Sequence, residues 1–290
     1  MAARAGLALV SDAMRTAKDM DPADYLRRVG EADDGTLDIA GAALMLSALD
    51  HSGRSLEPYF THLADIAEHA RAEAKLARAA EAAARSLAAL LAGRYGYDGE
   101  RIAYDDPQNA DFMSVIDRRR GLPVALGILY LHAARAAGLQ ATGLNSPGHF
   151  LLKIALRDEE ALIDPFNGGA ALEHESLGAP PRMRMHPGDE LRSAETVSDI
   201  DVLLRLENNL KVRAMQSGER LRALEVAKRM VLIAPRRPDL WLDLGRLNEA
   251  AGALGAAQKA FEACISLVPP GQNLHNEAAL NLHALKRRLN

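Results

Sequence analysis

The stretch at residues 122–134 constrains this chain more than any other, because it is apolar almost all round a helix. Pro123 suits the first turn of a helix, and Gly138 suits the position just after a helix ends. A membrane span needs about 20 apolar residues, and this stretch is shorter. A helix with so little polar face must be covered by other parts of the protein. The pattern therefore predicts a buried helix over residues 123–137.

Strand-like segments follow the predicted helix, at residues 140–144, 149–156 and 161–164. The polar residues 157–160 are typical of a turn that folds the last two segments back on each other. A buried helix packed on a small antiparallel sheet is an α+β arrangement. The predicted fold class is therefore α+β, with helical regions on either side of this core.

The region N-terminal to the core, residues 1–95, is predicted to be helical. Ala and Leu are strong helix formers and supply most of its apolar residues, while aromatic residues make up only 4% of the chain. We find no catalytic motif in this region. His62 and His69 lie seven residues apart on one predicted helix face, but no third ligand is evident nearby. We therefore expect packing or solvated histidines and no metal site.

A repeat marks the C-terminal region, residues 196–290. Pro235 and Pro269 are 34 positions apart, which is the period of the tetratricopeptide repeat. The repeat's characteristic positions between these two prolines are filled by Trp241, Leu244, Gly245, Ala257 and Phe261. Asn248 departs from the usual aromatic, and the preceding window is a degraded copy. We predict three units: helices at 1–95, an α+β core at 96–195 and repeat helices at 196–290.

Charge and cysteine content exclude several classes of protein. The 39 acidic and 35 basic side chains give a net charge of −4, without the broad positive field that non-specific nucleic-acid binding requires. Cys264 is the single cysteine, so neither an intramolecular disulfide nor a cysteine zinc cluster can form. Residues 1–20 lack a sustained apolar segment, which argues against a signal peptide. We expect a cytoplasmic protein with no membrane partner.

Four motifs lie in the middle of the chain. They are Tyr104-x-x-Pro107-x-Asn109, the Arg-Arg-Arg-Gly-Leu-Pro run at 118–123, the Ser-Pro-Gly-His run beginning at 146, and the Ile-Asp-Pro-Phe-Asn-Gly-Gly run at 163–169. In this order the motifs resemble the transglutaminase-like core domain of bacterial proteins that end in tetratricopeptide repeats, the regulator-of-sirC-expression type. The resemblance covers residues 100–170 and implies a papain-like or transglutaminase-like α+β core.

The resemblance also implies a position for each member of a catalytic triad. In active relatives a cysteine begins the buried helix, where the helix dipole lowers its pKa, and a histidine on the next strand takes its proton. An aspartate on the following strand orients the histidine. His149 and Asp164 occupy the histidine and aspartate positions, and the nucleophile position is Pro123. Proline has no nucleophile, so the expected triad is reduced to a dyad.

The other candidate residues have a structural and a functional interpretation. The pair of His149 and Asp164 is either a structural link between two strands or part of a ligand site. Asn109 can cap a helix at 110–119 that Gly121 stops, and Arg119, within the run at 118–120, suits either a helix C-terminus or an anion site. Asn167 and Gly168 suit either a flexible turn or a turn that admits a ligand or peptide. The candidate binding residues are Asn109, Arg119, Asn167 and Gly168.

Two main functional hypotheses follow. The first is a non-catalytic interaction or regulatory protein that binds a protein or peptide through the repeat segment. The alternative is a hydrolase acting on amide bonds, in which His149 and Asp164 activate water without a cysteine. Direct DNA binding is not expected, since no helix-turn-helix is recognisable, and a role in transcription would need a protein partner. No cofactor and no metal are expected.

Overall fold

The computed structural model describes residues 20–32, 37–74, 77–146, 149–172 and 195–289. Its contacts divide the chain into two compact units. The first groups residues 1–22 with 34–203, and the second groups residues 23–33 with 204–290. Whether residues 1–95, 96–195 and 196–290 are separate folding domains stays a prediction.

The described ranges contain helices, strands and three short irregular helices. The α-helices are α1 (Pro22–Glu31), α2 (Ile39–Ala48), α3 (Glu57–Ala74), α4 (Ala80–Ala88), α5 (Phe112–Arg118), α6 (Pro123–Ala136), α7 (Asp199–Gln216), α8 (Arg220–Ile233), α9 (Pro238–Ala250), α10 (Leu254–Leu267) and α11 (Asn273–Leu289). The strands are β1 (Asp98–Gly99), β2 (Arg120–Gly121), β3 (Gln140–Ser146), β4 (His149–Leu156), β5 (Glu159–Asp164), β6 (Ala170–Leu172) and β7 (Glu195–Val197). A π-helical turn spans Ala89–Arg94, and 3₁₀ helices span Pro107–Asn109 and Pro165–Asn167.

Helix α6 is the buried helix that the apolar stretch predicts. It begins at Pro123, and every residue of the helix except Pro123 and Arg135 is buried. Gly138 follows the helix with a φ of 81°, a left-handed conformation that glycine adopts at no steric cost. The start and end signals therefore correspond to the observed helix.

The α+β class is confirmed by a sheet beside this helix. In the described part of the chain, five antiparallel strands are ordered β6-β5-β4-β3-β7. The register pairs Leu144 with Leu151 and Leu152 with Ile163. Helix α6 lies close to β4, because a Cβ placed on Gly127 would be 2.3 Å from a ring carbon of the fully buried Phe150. The helix and the sheet therefore form one core.

The helix expected at 110–119 differs at both ends. Helix α5 is Phe112–Arg118, and its N-cap is Asp111, whose side chain accepts from the Ser114 N–H. The prediction of Asn109 as cap is wrong, because Asn109 is fully buried in the preceding 3₁₀ helix. The prediction of Gly121 as the stop is also wrong, since Arg119 already ends the helix in the left-handed conformation.

The second unit contains α1, α8–α11 and the part of α7 from residue 204 onward. A Cβ placed on Gly245 would be 2.4 Å from the ring of Phe261, so α9 and α10 approach closely there. Trp241 Nε1 donates to the carbonyl of Pro235 at 2.8 Å. Cys264 is buried in the same apolar cluster. These contacts explain why the repeat needs a small residue at 245 and an aromatic residue at 261.

Among the described helices, none combines the length and the apolar character that crossing a bilayer requires.

Candidate functional site

The N-terminus of α6 is where the resemblance places a nucleophile, and Pro123 is the first residue of that helix. The preceding Leu122 makes no side-chain cap. Its backbone N–H donates to the Asn109 carbonyl at 2.8 Å, which anchors the helix start to the neighbouring 3₁₀ helix. Neither Leu122 nor Pro123 offers a group that could attack a carbonyl carbon.

An open hollow of about 540 Å³ lies in the same unit, and we call it the β1–β2 hollow. It is bordered by the π-helical turn, by β1 and β2, which pair in parallel, and by the turn after β5. Its lining residues are Ala92, Gly96, Tyr97, Asp98, Arg101, Arg120, Asn167 and Gly168. Two of the predicted binding residues, Asn167 and Gly168, therefore line one hollow together.

Arg101 holds one wall of the hollow together. Its guanidinium donates to the Asp98 carboxylate at 3.0 Å and to the Asn167 Oδ1 at 3.1 Å. It also donates to the carbonyls of Gly99 and Phe166 and lies 5.0 Å from the centre of the Phe166 ring. Arg101 therefore ties β1 to the turn after β5, and both of its Nη groups donate within the protein.

Arg120 is the other cation of the hollow, and it is exposed. Its Nη1 donates to the carbonyls of Gly96 and Arg119, both at 2.9 Å. Within the described residues, it has no carboxylate within ion-pair distance. Burial raises the pKa of Asp98, but hydrogen bonds from Arg101 and Gly99 and the charges of Arg101 and Arg120 outweigh this and lower it. The hollow thus contains an ionised carboxylate and two guanidinium groups.

Asp164, predicted to orient His149, is 1% exposed and caps the 3₁₀ helix that follows it. Its Oδ1 accepts from the backbone N–H groups of Phe166 and Asn167, at 3.0 and 3.3 Å. Its Oδ2 accepts from the Asn167 side chain at 2.6 Å. Both carboxylate oxygens are therefore engaged by the turn, which positions Asn167 at the hollow.

The predicted contact between His149 and Asp164 stays a prediction, because the His149 side chain lies outside the described part of the chain. The backbone of His149 opens β4, and Asp164 ends β5. Leu152 pairs with Ile163, so the two positions are at the same end of neighbouring strands.

Asn109 lies away from solvent and holds a loop in place. Its Nδ2 donates to the carbonyls of Ala103 and Tyr104, at 2.6 and 3.3 Å. Its Oδ1 accepts from Arg118 at 3.0 Å. Asn109 is fully buried and does not line the hollow, so its observed contacts make it a positioning residue for the loop at 100–106.

Arg119 lies behind the hollow and not in it. Its Nη1 donates to His62 Nε2 at 2.7 Å and also to the Tyr97 hydroxyl. The guanidinium lies 4.8 Å from the centre of the Tyr97 ring, a cation–π distance. Burial and then the Arg119 charge lower the pKa of His62 to about 4. Arg119 therefore supports Tyr97 from behind, while Tyr97 lines the hollow.

The carboxylate of Asp111 brings together polar side chains that the sequence did not indicate. Ser47, His51 and Ser114 all bind it, with His51 Nε2 at 2.8 Å. This carboxylate therefore joins the end of α2 to the start of α5. The only signal in the sequence was the aspartate itself, a residue type that is favoured at helix N-caps.

Histidines of the N-terminal region have structural partners. His62 Nε2 and His69 Nδ1 lie 2.8 and 2.7 Å from the hydroxyls of Tyr97 and Tyr95. His132, inside α6, lies 2.9 Å from the carbonyl of Leu63, and burial lowers its pKa. A lone histidine within an apolar helix pattern was the signal for a buried side chain of this kind.

The His62 environment predicts a pH dependence of stability. The pKa of His62 is about 4 in the folded protein and has its ordinary value of 6.5 in the unfolded chain. Between pH 6.5 and pH 4, His62 therefore binds a proton in the unfolded chain but not in the folded protein. The free energy of unfolding should therefore fall as the pH falls from 7 to 4. With a discount for the half-exposed ring, we expect His62 to contribute about 1–2 kcal/mol of this loss.

Urea unfolding followed by circular dichroism from pH 7 to 4.5 measures this contribution. His62→Gln keeps an acceptor for Tyr97 and Arg119 without a titrating ring, so it should reduce the pH-dependent loss. His69→Gln, on the same helix, is the matched control. An equal loss in the wild type and in His62→Gln would contradict the assignment.

Residues 57–208 match the profile of the transglutaminase-like superfamily. The chain belongs to this superfamily. Residues 210–290 match the tetratricopeptide repeat profile, which confirms the predicted repeat segment.

Relatives of the transglutaminase-like chain occur in bacteria and animals. It is 27% identical to a UPF0162 protein of Xylella fastidiosa (strain 9a5c) over 249 residues, covering 83% of this chain and 88% of that protein. It is 35% identical to mouse F-box only protein 21 over 71 residues, or 24% of this chain and 11% of that protein. A crystal structure of menin, with its binding site for Mixed Lineage Leukemia (MLL) protein, gives a TM-score of 0.47 at 12% identity, covering 93% of this chain and 67% of menin.

Proposed function

We propose that this transglutaminase-like protein binds other proteins without catalysing a reaction. The observation that carries the proposal is Pro123, which begins the buried helix α6 at the position where the resemblance places the nucleophilic cysteine. Loss of a triad nucleophile lowers the rate by about six orders of magnitude. Proline also removes one backbone N–H from a helix start that could otherwise help to bind an oxyanion.

The contacts of Asp164 give it a structural role that needs no catalysis. Its carboxylate accepts from two backbone N–H groups of the following turn and from the Asn167 side chain. These bonds hold the turn that places Asn167 and Gly168 in the wall of the β1–β2 hollow.

The tetratricopeptide segment supports protein binding. Repeats of this kind stack helix pairs into surfaces that accept peptides or proteins. We propose a regulatory or adaptor role in the cytoplasm, in which any effect on transcription passes through a protein partner. Cys264, the single cysteine, is buried and is not needed as a disulfide partner or nucleophile.

Amine-incorporation and amidase assays test the proposal. We expect no turnover above background for the wild type or for Pro123→Ala, which removes the proline without adding a thiol. Pro123→Cys restores a nucleophile at the same position. Turnover in Pro123→Cys that disappears when His149→Ala is added would support the loss of the nucleophile as the reason for inactivity.

Wild-type turnover that His149→Ala abolishes would overturn the non-catalytic assignment. It would favour the alternative hydrolase, in which His149 and Asp164 act without a cysteine.

A further inference from the structure

The β1–β2 hollow contains an arginine that still has donors available and two glycines with an accessible backbone, and an exposed apolar loop follows one of its residues in the chain. We propose that it binds a single carboxylate on a peptide segment of a protein partner, with Arg120 as the charged contact. The inference rests on the proposed function, because it names the partner chemistry of a binding protein. A guanidinium binds a carboxylate through two parallel hydrogen bonds in its preferred geometry.

Arg120 is the guanidinium that can receive the ligand. Arg101 donates to Asp98, Asn167 and two backbone carbonyls, so both of its Nη groups are already used. Arg120 Nη1 donates to the carbonyls of Gly96 and Arg119. These two bonds fix the direction of the side chain, and within the described residues its Nη2 has no hydrogen-bond partner. The arginine is therefore held in place with donors still available.

The charge of the hollow suits one negative charge. Arg101 and Arg120 contribute two positive charges, and Asp98 contributes one negative charge. A monoanionic carboxylate therefore neutralises the hollow, whereas a phosphate dianion would leave excess negative charge beside Asp98. This balance favours a carboxylate over a phosphate group.

Two glycines that line the hollow leave their backbone open to an approaching chain. A Cβ placed on Gly96 would meet no atom within 4 Å, and one on Gly168 would meet only the Ala92 side chain, at 3.8 Å. Both residues line the hollow. A peptide backbone can therefore come close to the hollow without displacing a side chain.

An apolar surface follows Arg101 directly in the chain. Ile102 is 100% exposed and Tyr104 is 42% exposed, while the Tyr104 ring lies edge-on to Phe166 at 5.9 Å. The loop is held in this form, because Glu100 accepts from the Ile102 and Ala103 N–H groups and Asn109 binds two of its carbonyls. A fixed loop that presents an isoleucine to solvent suits an apolar peptide side chain next to the carboxylate.

The test uses the full chain labelled with ¹⁵N and four probes. The first probe is acetyl-Gly-Leu-Glu-Leu-amide, with a side-chain carboxylate. The second is acetyl-Gly-Leu-Gln-Leu with a free C-terminal carboxylate. The third, the same Gln peptide as an amide, has no negative charge, and the fourth is inorganic phosphate. The two acidic peptides distinguish a side-chain carboxylate from a chain terminus.

We expect at least one acidic peptide to shift the amide signals of Gly96, Arg120, Asn167 and Gly168, with at least tenfold tighter binding than the neutral peptide. Arg120→Gln should weaken this binding about tenfold or more. Arg85→Gln, which changes an exposed arginine of α4 outside the hollow, should leave it unchanged. Thermal unfolding of both variants checks that the fold is retained.

Three results would overturn the inference: equal binding of the neutral peptide, phosphate binding as tight as that of the acidic peptides, or no effect of Arg120→Gln on the dissociation constant. None of these results would change the proposal that the protein is non-catalytic. Wild-type turnover in the amidase assay would overturn the proposed function and leave the carboxylate preference standing.

Discussion

Replacement of Gly127 by valine is expected to destabilise the first unit by about 3 kcal/mol. The first side-chain carbon alone would lie 2.3 and 2.6 Å from two ring carbons of Phe150. Phe150 cannot move aside easily, because it is fully buried. Gly143 also packs closely against its ring, since a Cβ placed on this glycine would be 2.8 Å from the Phe150 Cζ. Overpacking of a closed core costs about 1–3 kcal/mol and occasionally more, and it outweighs the gain in helix propensity over glycine.

Urea unfolding followed by circular dichroism measures this loss as a shift in the midpoint. Gly93→Ala is the control, because a Cβ on Gly93 would have no atom within 4 Å, and a change of less than about 1 kcal/mol is expected. Combining Gly127→Ala with Phe150→Leu should cost less than the sum of the two single changes. Additive costs would show that the ring and the added carbon do not collide.

Asp164→Ala is the second change with a large expected effect, about 3 kcal/mol. The carboxylate is 1% exposed and is the acceptor for two backbone N–H groups and for the Asn167 side chain. Removing it leaves buried donors without a partner, and each such loss costs about 1–3 kcal/mol. Asp164→Asn retains one acceptor oxygen and should lose less.

A matched control lies elsewhere in the same unit. Asp106 begins the sequence Asp-Pro-Gln-Asn, as Asp164 begins Asp-Pro-Phe-Asn, and both cap a 3₁₀ helix with proline at its start. Asp106 is only half-buried and accepts from one backbone N–H, at 2.9 Å, so Asp106→Ala should cost about 1 kcal/mol or less. Thermal and urea unfolding compare the two changes. Equal costs at the two positions would contradict the larger contribution expected from the buried carboxylate of Asp164.

Elements whose signals are local could be predicted from the amino-acid sequence. Helix α6 could be predicted because its apolar residues, Pro123 and Gly138 lie within one continuous stretch. The α+β class followed from this helix and the short strands after it. The repeat helices could be predicted because residues such as Gly245 and Phe261 recur at a fixed spacing, and their contact is a property of the repeat itself.

The residue that caps α5 depends on side-chain contacts in the folded protein. Asn109 and Asp111 are both good N-cap residues, and sequence preference does not distinguish them. The Asn109 side chain binds the Ala103 and Tyr104 carbonyls and Arg118, so it is not available as a cap. Cap preferences do not describe these contacts with the preceding loop and the end of α5, and the helix begins two residues later than its sequence indicates.

The candidate site depends on contacts between distant parts of the chain. Asn167 and Gly168 were recognisable as a turn that could admit a ligand, but their neighbours Asp98, Arg101 and Arg120 come from segments about 50–70 positions earlier in the chain. Arg118, Arg119 and Arg120 are equivalent in sequence, yet one binds Asn109, one binds Tyr97 and one faces the hollow. The fold brings a different partner to each of the three arginines. These partners determine which arginine stays available to a ligand, and the sequence of the run does not indicate them.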